Sequence, residues 1–131
     1  RDALTIAHAQ PGGDEESYKK ILRPHREAIL AGVYQAIAND CRSRGVESVW
    51  LLLPRVGKPT PAADRARLVE LARVAGFTYL IDLSDAFDGL DPATLAIGPD
   101  DFHPNASGHD RLARRLDEAL RQHWNWRGDR R

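Results

Sequence analysis

Residues 46–54 read "VESVWLLLP". From Val49 to Leu53 every side chain is apolar. A strand with one wet face would alternate polar and apolar residues; a near-continuous apolar run fits a strand covered on both faces, as in a parallel sheet enclosed by helices. The run is also far shorter than the roughly 20 residues needed to cross a bilayer. Pro54 and the "RVGKPTP" that follows it end the strand in a loop.

Working outward from this strand, residues 16–44 have a helical pattern, broken where Pro24 lacks the amide a helix interior needs. Past the break, Ile29, Leu30, Val33, Tyr34, Ile37, Ala38 and Cys41 fall on one stripe at spacings of three and four, and Gly45 is a natural stop. Before it, "ALTIAHA" (3–9) reads as a strand closed by "QPGGDEE". On the other side, Thr60 is expected to cap a helix with Pro61 at its first position. That helix should run to Ala75, burying Leu68, Leu71, Ala72 and Val74 in some combination, and end at Gly76. "FTYLIDL" (77–83) is the third strand. A long polar loop, "SDAFDGLDPATLAIGPDDFHPNA" (84–106), leads to a last helix over residues 108–123, with Ser107 and Asp110 as its capping box.

Strands alternating with helices predict an α/β fold with right-handed crossovers and a parallel sheet. Ligands of such sheets bind beyond the carboxyl ends of the strands. Those ends lead into "QPGGDEE", "PRVGKP" and "SDAFDG", and the loop carrying His103 follows the third.

The composition fits one globular domain: 131 residues, 42% apolar and 29% charged. Lys+Arg and Asp+Glu both number 19, so no global field recruits nucleic acid or an anionic membrane. No run is long enough for a membrane span. Cys41 is the single cysteine, which excludes an internal disulfide and leaves the redox compartment open. No basic-then-apolar leader is visible, so the sequence assigns no localisation. A strand-like segment begins almost at Arg1, as expected of a processed chain or a fragment.

Chemistry concentrates in "IGPDDFHPNASGHDRL" (97–112). Imidazole works as a general base when one ring nitrogen faces the substrate and a carboxylate holds the other. Asp100, three residues before His103, is within one turn of backbone of it, and Pro104 biases His103 away from helical geometry. Asp101 has a different spacing and is expected to be solvated. His109, in the first turn of the last helix, is expected to be structural or exposed.

The block "DDFHPNASGH" resembles the D-x-x-H block of the SGNH/GDSL hydrolases, and the likeness extends through "VWLLLP" and "YLIDLSDAF". The resemblance implies Asp100 as the triad acid and His103 as the base. It also implies a flavodoxin-like three-layer α/β/α fold and cleavage of esters or related acyl bonds, with no cofactor and no metal. The family's Gly-Asp-Ser nucleophile block has no counterpart: the serines are Ser17, Ser43, Ser48, Ser84 and Ser107, none in that context. Where the family carries Gly-x-Asn-Asp, this chain has "GGDE"; Asp14 replaces the asparagine, and an ionised carboxylate cannot donate to an oxyanion.

The expectation is therefore the C-terminal part of one such domain over residues 1–123, followed by a tail over 124–131. The serine would come from an N-terminal segment, and the substrate would be a small-molecule ester or an acylated carbohydrate. In the order 2-1-3-4-5, "ALTIAHA", "VWLLL" and "FTYLIDL" would be strands 3, 4 and 5. The edge at residues 3–9 would then be covered by a second copy or by the N-terminal segment. The alternative is a non-catalytic α/β module that recognises carbohydrate or a protein partner.

Plainer readings account for the remaining polar features. Asp100, Asp101, His103 and His109 match no strong zinc spacing. Cys41 continues an apolar stripe and is expected to be buried and inert. Asp82, Asp85, Asp88 and Asp91 lack the calcium-loop pattern and are expected to serve caps and turns. "RGD" at 127–129 is a chance match, and Trp124 and Trp126 are expected to pack the last helix or mark a contact surface.

Overall fold

The computed structural model describes residues 14–123; the strand expected at 3–9, the tail and the two tryptophans beyond the last helix lie outside them. Helix α1 spans Glu15–Leu22, a 3₁₀ turn occupies Arg23–His25, and helix α2 spans Arg26–Ser43. The break falls at Pro24, because its ring removes the amide that a continuous helix would use there. α2 ends as expected, with Gly45 taking the left-handed conformation (φ 66°) just past the cap.

Strand β1 is Val49–Leu52, helix α3 Ala62–Ala75 and strand β2 Tyr79–Asp82. β1 and β2 pair in parallel, in the register Val49↔Tyr79 to Leu52↔Asp82. The start of α3 lies one residue later than expected: Pro61 is the cap, no side chain closes it, and Thr60 makes no capping bond. Gly76 ends α3 at φ 86°. Of the residues expected to face inward on α3, Ala72 is buried, Leu68 and Leu71 are half-buried and Val74 is exposed.

Helices cover both faces of this small sheet. On one, the Tyr34 ring of α2 stands edge-on to Trp50 of β1 and to Phe77, with centroids 6.3 and 5.6 Å apart. α3 packs beside α2, where Gln35 Nε2 donates to the Ala75 carbonyl at 3.2 Å and Arg67 pairs with Glu27 at 2.8 Å. On the other face lies the core of Val56, Ile81, Leu83, Ala86, Phe87, Leu95 and Leu112. Leu112 belongs to the last helix, α4 (Ala106–His123), whose Leu116, Ala119 and Leu120 pack against the same cluster. The Asp85 carboxylate accepts two hydrogen bonds from Arg115 Nη2, at 2.9 and 3.0 Å, fixing the turn after β2 to α4.

Residues 84–106 are more ordered than the expected loop. They contain a 3₁₀ turn at Pro92–Thr94 and two short strands, β3 (Ala96–Gly98) and β4 (Asp101–Pro104). These pair antiparallel, Ala96↔Pro104 and Gly98↔Asp101, with a register shift between. The general class is α/β, as the alternation of elements implied. Among the described residues no helix is long and apolar enough to cross a membrane.

Candidate functional site

The β3–β4 hairpin is tied to the end of β1. Val56, buried in the turn after β1, donates its amide to the Phe102 carbonyl at 3.0 Å, and Lys58 Nζ stands 5.0 Å above the Phe102 ring. A cation over an aromatic face is attracted by the ring quadrupole. Phe102 is thus held by both its backbone and its ring, and its neighbour His103 lies beyond the carboxyl end of β1.

Asn105 fixes the other side of the hairpin. Its Nδ2 donates to the Thr94 and Ala96 carbonyls, both at 3.1 Å, and its amide donates to the Leu95 carbonyl at 2.7 Å. Its Oδ1 accepts from the Gly108 amide at 3.1 Å, which makes it the N-cap of α4. This corrects the capping box placed at Ser107: α4 begins at Ala106, Ser107 is exposed within its first turn, and Asp110 pairs instead with Arg114. Gly108 also has a steric reason. A Cβ there would lie 2.6 Å from Pro104 Cβ and 2.8 Å from the Leu95 carbonyl oxygen.

His103 stands on β4 with its side chain 83% exposed, and its Nδ1 is 2.6 Å from Asp101 Oδ1. The same oxygen accepts the His103 backbone amide at 2.8 Å. These two bonds, the backbone one first, hold the Asp101 carboxyl below the ordinary aspartate range. An ionised carboxylate only accepts, so Nδ1 carries the shared proton and Nε2 is the open nitrogen. The partner of His103 in this structure is therefore Asp101, which the sequence reading left to solvent. Asp100, the residue the motif singles out, lies exposed in the turn between β3 and β4, with no side-chain bond to His103.

The other polar residues have local work. Asp82 Oδ1 accepts the Ser84 amide at 2.9 Å and Asp91 Oδ1 the Ala93 amide at 3.0 Å, as turn chemistry requires. Asp14 caps α1: one carboxylate oxygen accepts the Ser17 amide at 3.0 Å and the other the Ser17 hydroxyl at 2.6 Å. Those bonds, the hydroxyl one first, lower its pKa. Ser43 Oγ donates to the Asp40 carbonyl, Ser48 Oγ accepts the Thr78 amide, and Ser84 Oγ accepts from Arg65. None of these serine contacts involves a histidine. Cys41 is half-buried, not fully enclosed as expected, and His109 is exposed. Among the described residues, no group of three or more His, Cys, Asp or Glu side chains is arranged to hold a metal ion.

Comparison of the chain with family models, curated proteins and solved structures found no match.

Proposed function

We propose that this chain carries the acid–base part of a serine acyl hydrolase of SGNH/GDSL type, within a flavodoxin-like α/β/α domain. The observation that supports this most is the carboxylate-bound imidazole of His103, at 2.6 Å with Nε2 open, on a hairpin beyond the carboxyl end of a parallel strand. A carboxylate on Nδ1 fixes the tautomer in which Nε2 is basic. His103 Nε2 takes the proton of a serine hydroxyl as the serine oxygen attacks the ester carbonyl. The same proton passes to the departing alcohol when the tetrahedral intermediate collapses. A water, giving its proton to His103, then attacks the acyl-enzyme; the acyl–serine bond breaks, the serine oxygen takes that proton back and the carboxylic acid leaves.

In this proposal the serine and the oxyanion donors belong to polypeptide outside these 131 residues. The substrate is a small-molecule ester or an acylated carbohydrate. For the acid there are two candidates: the motif register favours Asp100, the observed contact Asp101. The alternative, a non-catalytic α/β module that binds carbohydrate or a protein, draws on the contacts of Ser17, Ser43, Ser48 and Ser84, none of which involves a histidine.

Ester hydrolysis by a longer polypeptide containing this chain separates the two. His103→Ala should lower turnover on the order of 10⁴-fold or more. Unchanged turnover would remove His103 from the chemistry and leave the binding module.

A further inference from the structure

Phe102 is the middle residue of the contact that orients His103. Asp101 Oδ1 reaches across it to the His103 amide at 2.8 Å and to Nδ1 at 2.6 Å, so both bonds depend on the backbone angles at Phe102. Extended backbone sends alternate side chains to opposite sides. Asp101 and His103 therefore share one side of β4, and Phe102 and Pro104 the other. That other side is turned to the molecule: Pro104 Cβ is 2.6 Å from the position a Cβ would take on Gly108, at the start of α4.

The turn after β1 meets Phe102 there. Lys58 donates its amide to the Arg55 carbonyl at 3.3 Å, and Gly57 between them takes the left-handed conformation (φ 67°). Val56, 2% exposed, seats this turn in the core, and its amide holds the Phe102 carbonyl at 3.0 Å. A Cβ on Gly57 would lie 3.2 Å from Pro92 Cβ, so the turn also rests against the 3₁₀ turn. From this support Lys58 Nζ stands 5.0 Å from the centre of the Phe102 ring. The bond to the carbonyl fixes one backbone group of Phe102 and leaves its ring to rotate. A cation on the ring face adds a second point of attachment, and two points fix an orientation that one leaves free.

We propose that Lys58 is a positioning residue for His103: by holding the Phe102 ring it keeps Asp101 and His103 turned outward together, with the ring proton on Nδ1 and Nε2 open. The inference rests on the reading of His103 as the base, and it states how the fold chooses between two adjacent carboxylates. With Phe102 held inward, Asp101 is the carboxylate on the His103 side of β4, and Asp100 lies one residue further back, in the turn. Lys58 touches neither the imidazole nor a reacting atom; it acts through the ring.

Long-range proton–nitrogen correlation by nuclear magnetic resonance reads the tautomer of the neutral His103 ring in this chain, without any esterase activity. Expected in the wild type is a ring protonated at Nδ1. An exposed cation–aromatic contact shifts an equilibrium by about 2–5-fold, so Lys58→Ala should lower the ratio of Nδ1-protonated to Nε2-protonated ring by about that factor. Lys58→Arg, which keeps a cation over the ring, should restore it. Phe102→Leu should match Lys58→Ala, and adding Lys58→Ala to Phe102→Leu should change nothing further. An unchanged ratio in Lys58→Ala would overturn the proposal. So would a Lys58→Ala effect that persists in full beside Phe102→Leu, because the charge would then act on the pair directly and not through the ring. A wild-type ring protonated chiefly at Nε2 would overturn it as well. Unchanged ester turnover in His103→Ala, which would remove the hydrolase reading, leaves these ratios as they are, so the two failures are distinct.

Discussion

Asp101 accepts two hydrogen bonds from one residue, His103 amide and His103 ring, through a single oxygen. Its depressed pKa gives this contact a definite pH dependence. The contact is complete above the ordinary aspartate value of 3.8 and is lost as the pH falls through the lower folded value. The His103 amide resonance should therefore report a transition below pH 3.8, which Asp101→Asn abolishes and Asp100→Asn leaves in place. A transition that follows Asp100 instead would mean that the carboxylates exchange roles in solution. D-x-x-H spacing singles out Asp100 as the partner of His103, whereas the observed contact is with Asp101, two residues away. Sequence spacing gives reach, but extended backbone in β4 turns successive side chains to opposite sides, and the short Asp101-to-amide loop closes more readily.

At the scale of elements, the corner where β4 meets α4 carries the hairpin. Asn105 joins β3, the 3₁₀ turn and the helix start through one side chain. Asn105→Ala should lower stability to urea by about 1–3 kcal/mol, combining a lost cap with the loss of two hydrogen bonds to the Thr94 and Ala96 carbonyls. Gly108→Ala should cost about 1–3 kcal/mol, because the atoms its methyl group meets include a backbone carbonyl that cannot rotate away. A neutral Gly108→Ala in the same measurement would mean that the helix start shifts freely. Pro24, Gly45 and Gly76 were legible as boundaries because each acts through its own backbone chemistry. The hairpin was not, since its strands of three and four residues are too short to show alternation. The cap was misplaced for a related reason: Ser107 and Asp110 satisfy a local pattern, but Asn105 wins through bonds to residues 9 and 11 positions earlier.

For the whole molecule, the parallel pair β1 and β2, with helices on both faces, matches the alternation in the sequence. Within "VWLLL", Trp50 is buried toward α2 and Leu51 packs on the core under α4, whereas Val49 and Leu53 are exposed. The chemistry is less self-contained. His103 has an oriented ring and an open Nε2, whereas the contacts of Ser17, Ser43, Ser48 and Ser84 are made to other groups; under the proposed function the nucleophile lies in polypeptide beyond these residues. Labelling with a fluorophosphonate probe tests that claim most directly, on this chain and on a longer polypeptide that extends it at the N-terminus. No serine of the 131-residue chain should be labelled. In the longer polypeptide one serine before Arg1 should be labelled, and His103→Ala should abolish that labelling. Stoichiometric labelling of Ser17, Ser43, Ser48, Ser84 or Ser107 that depends on His103 would contradict it.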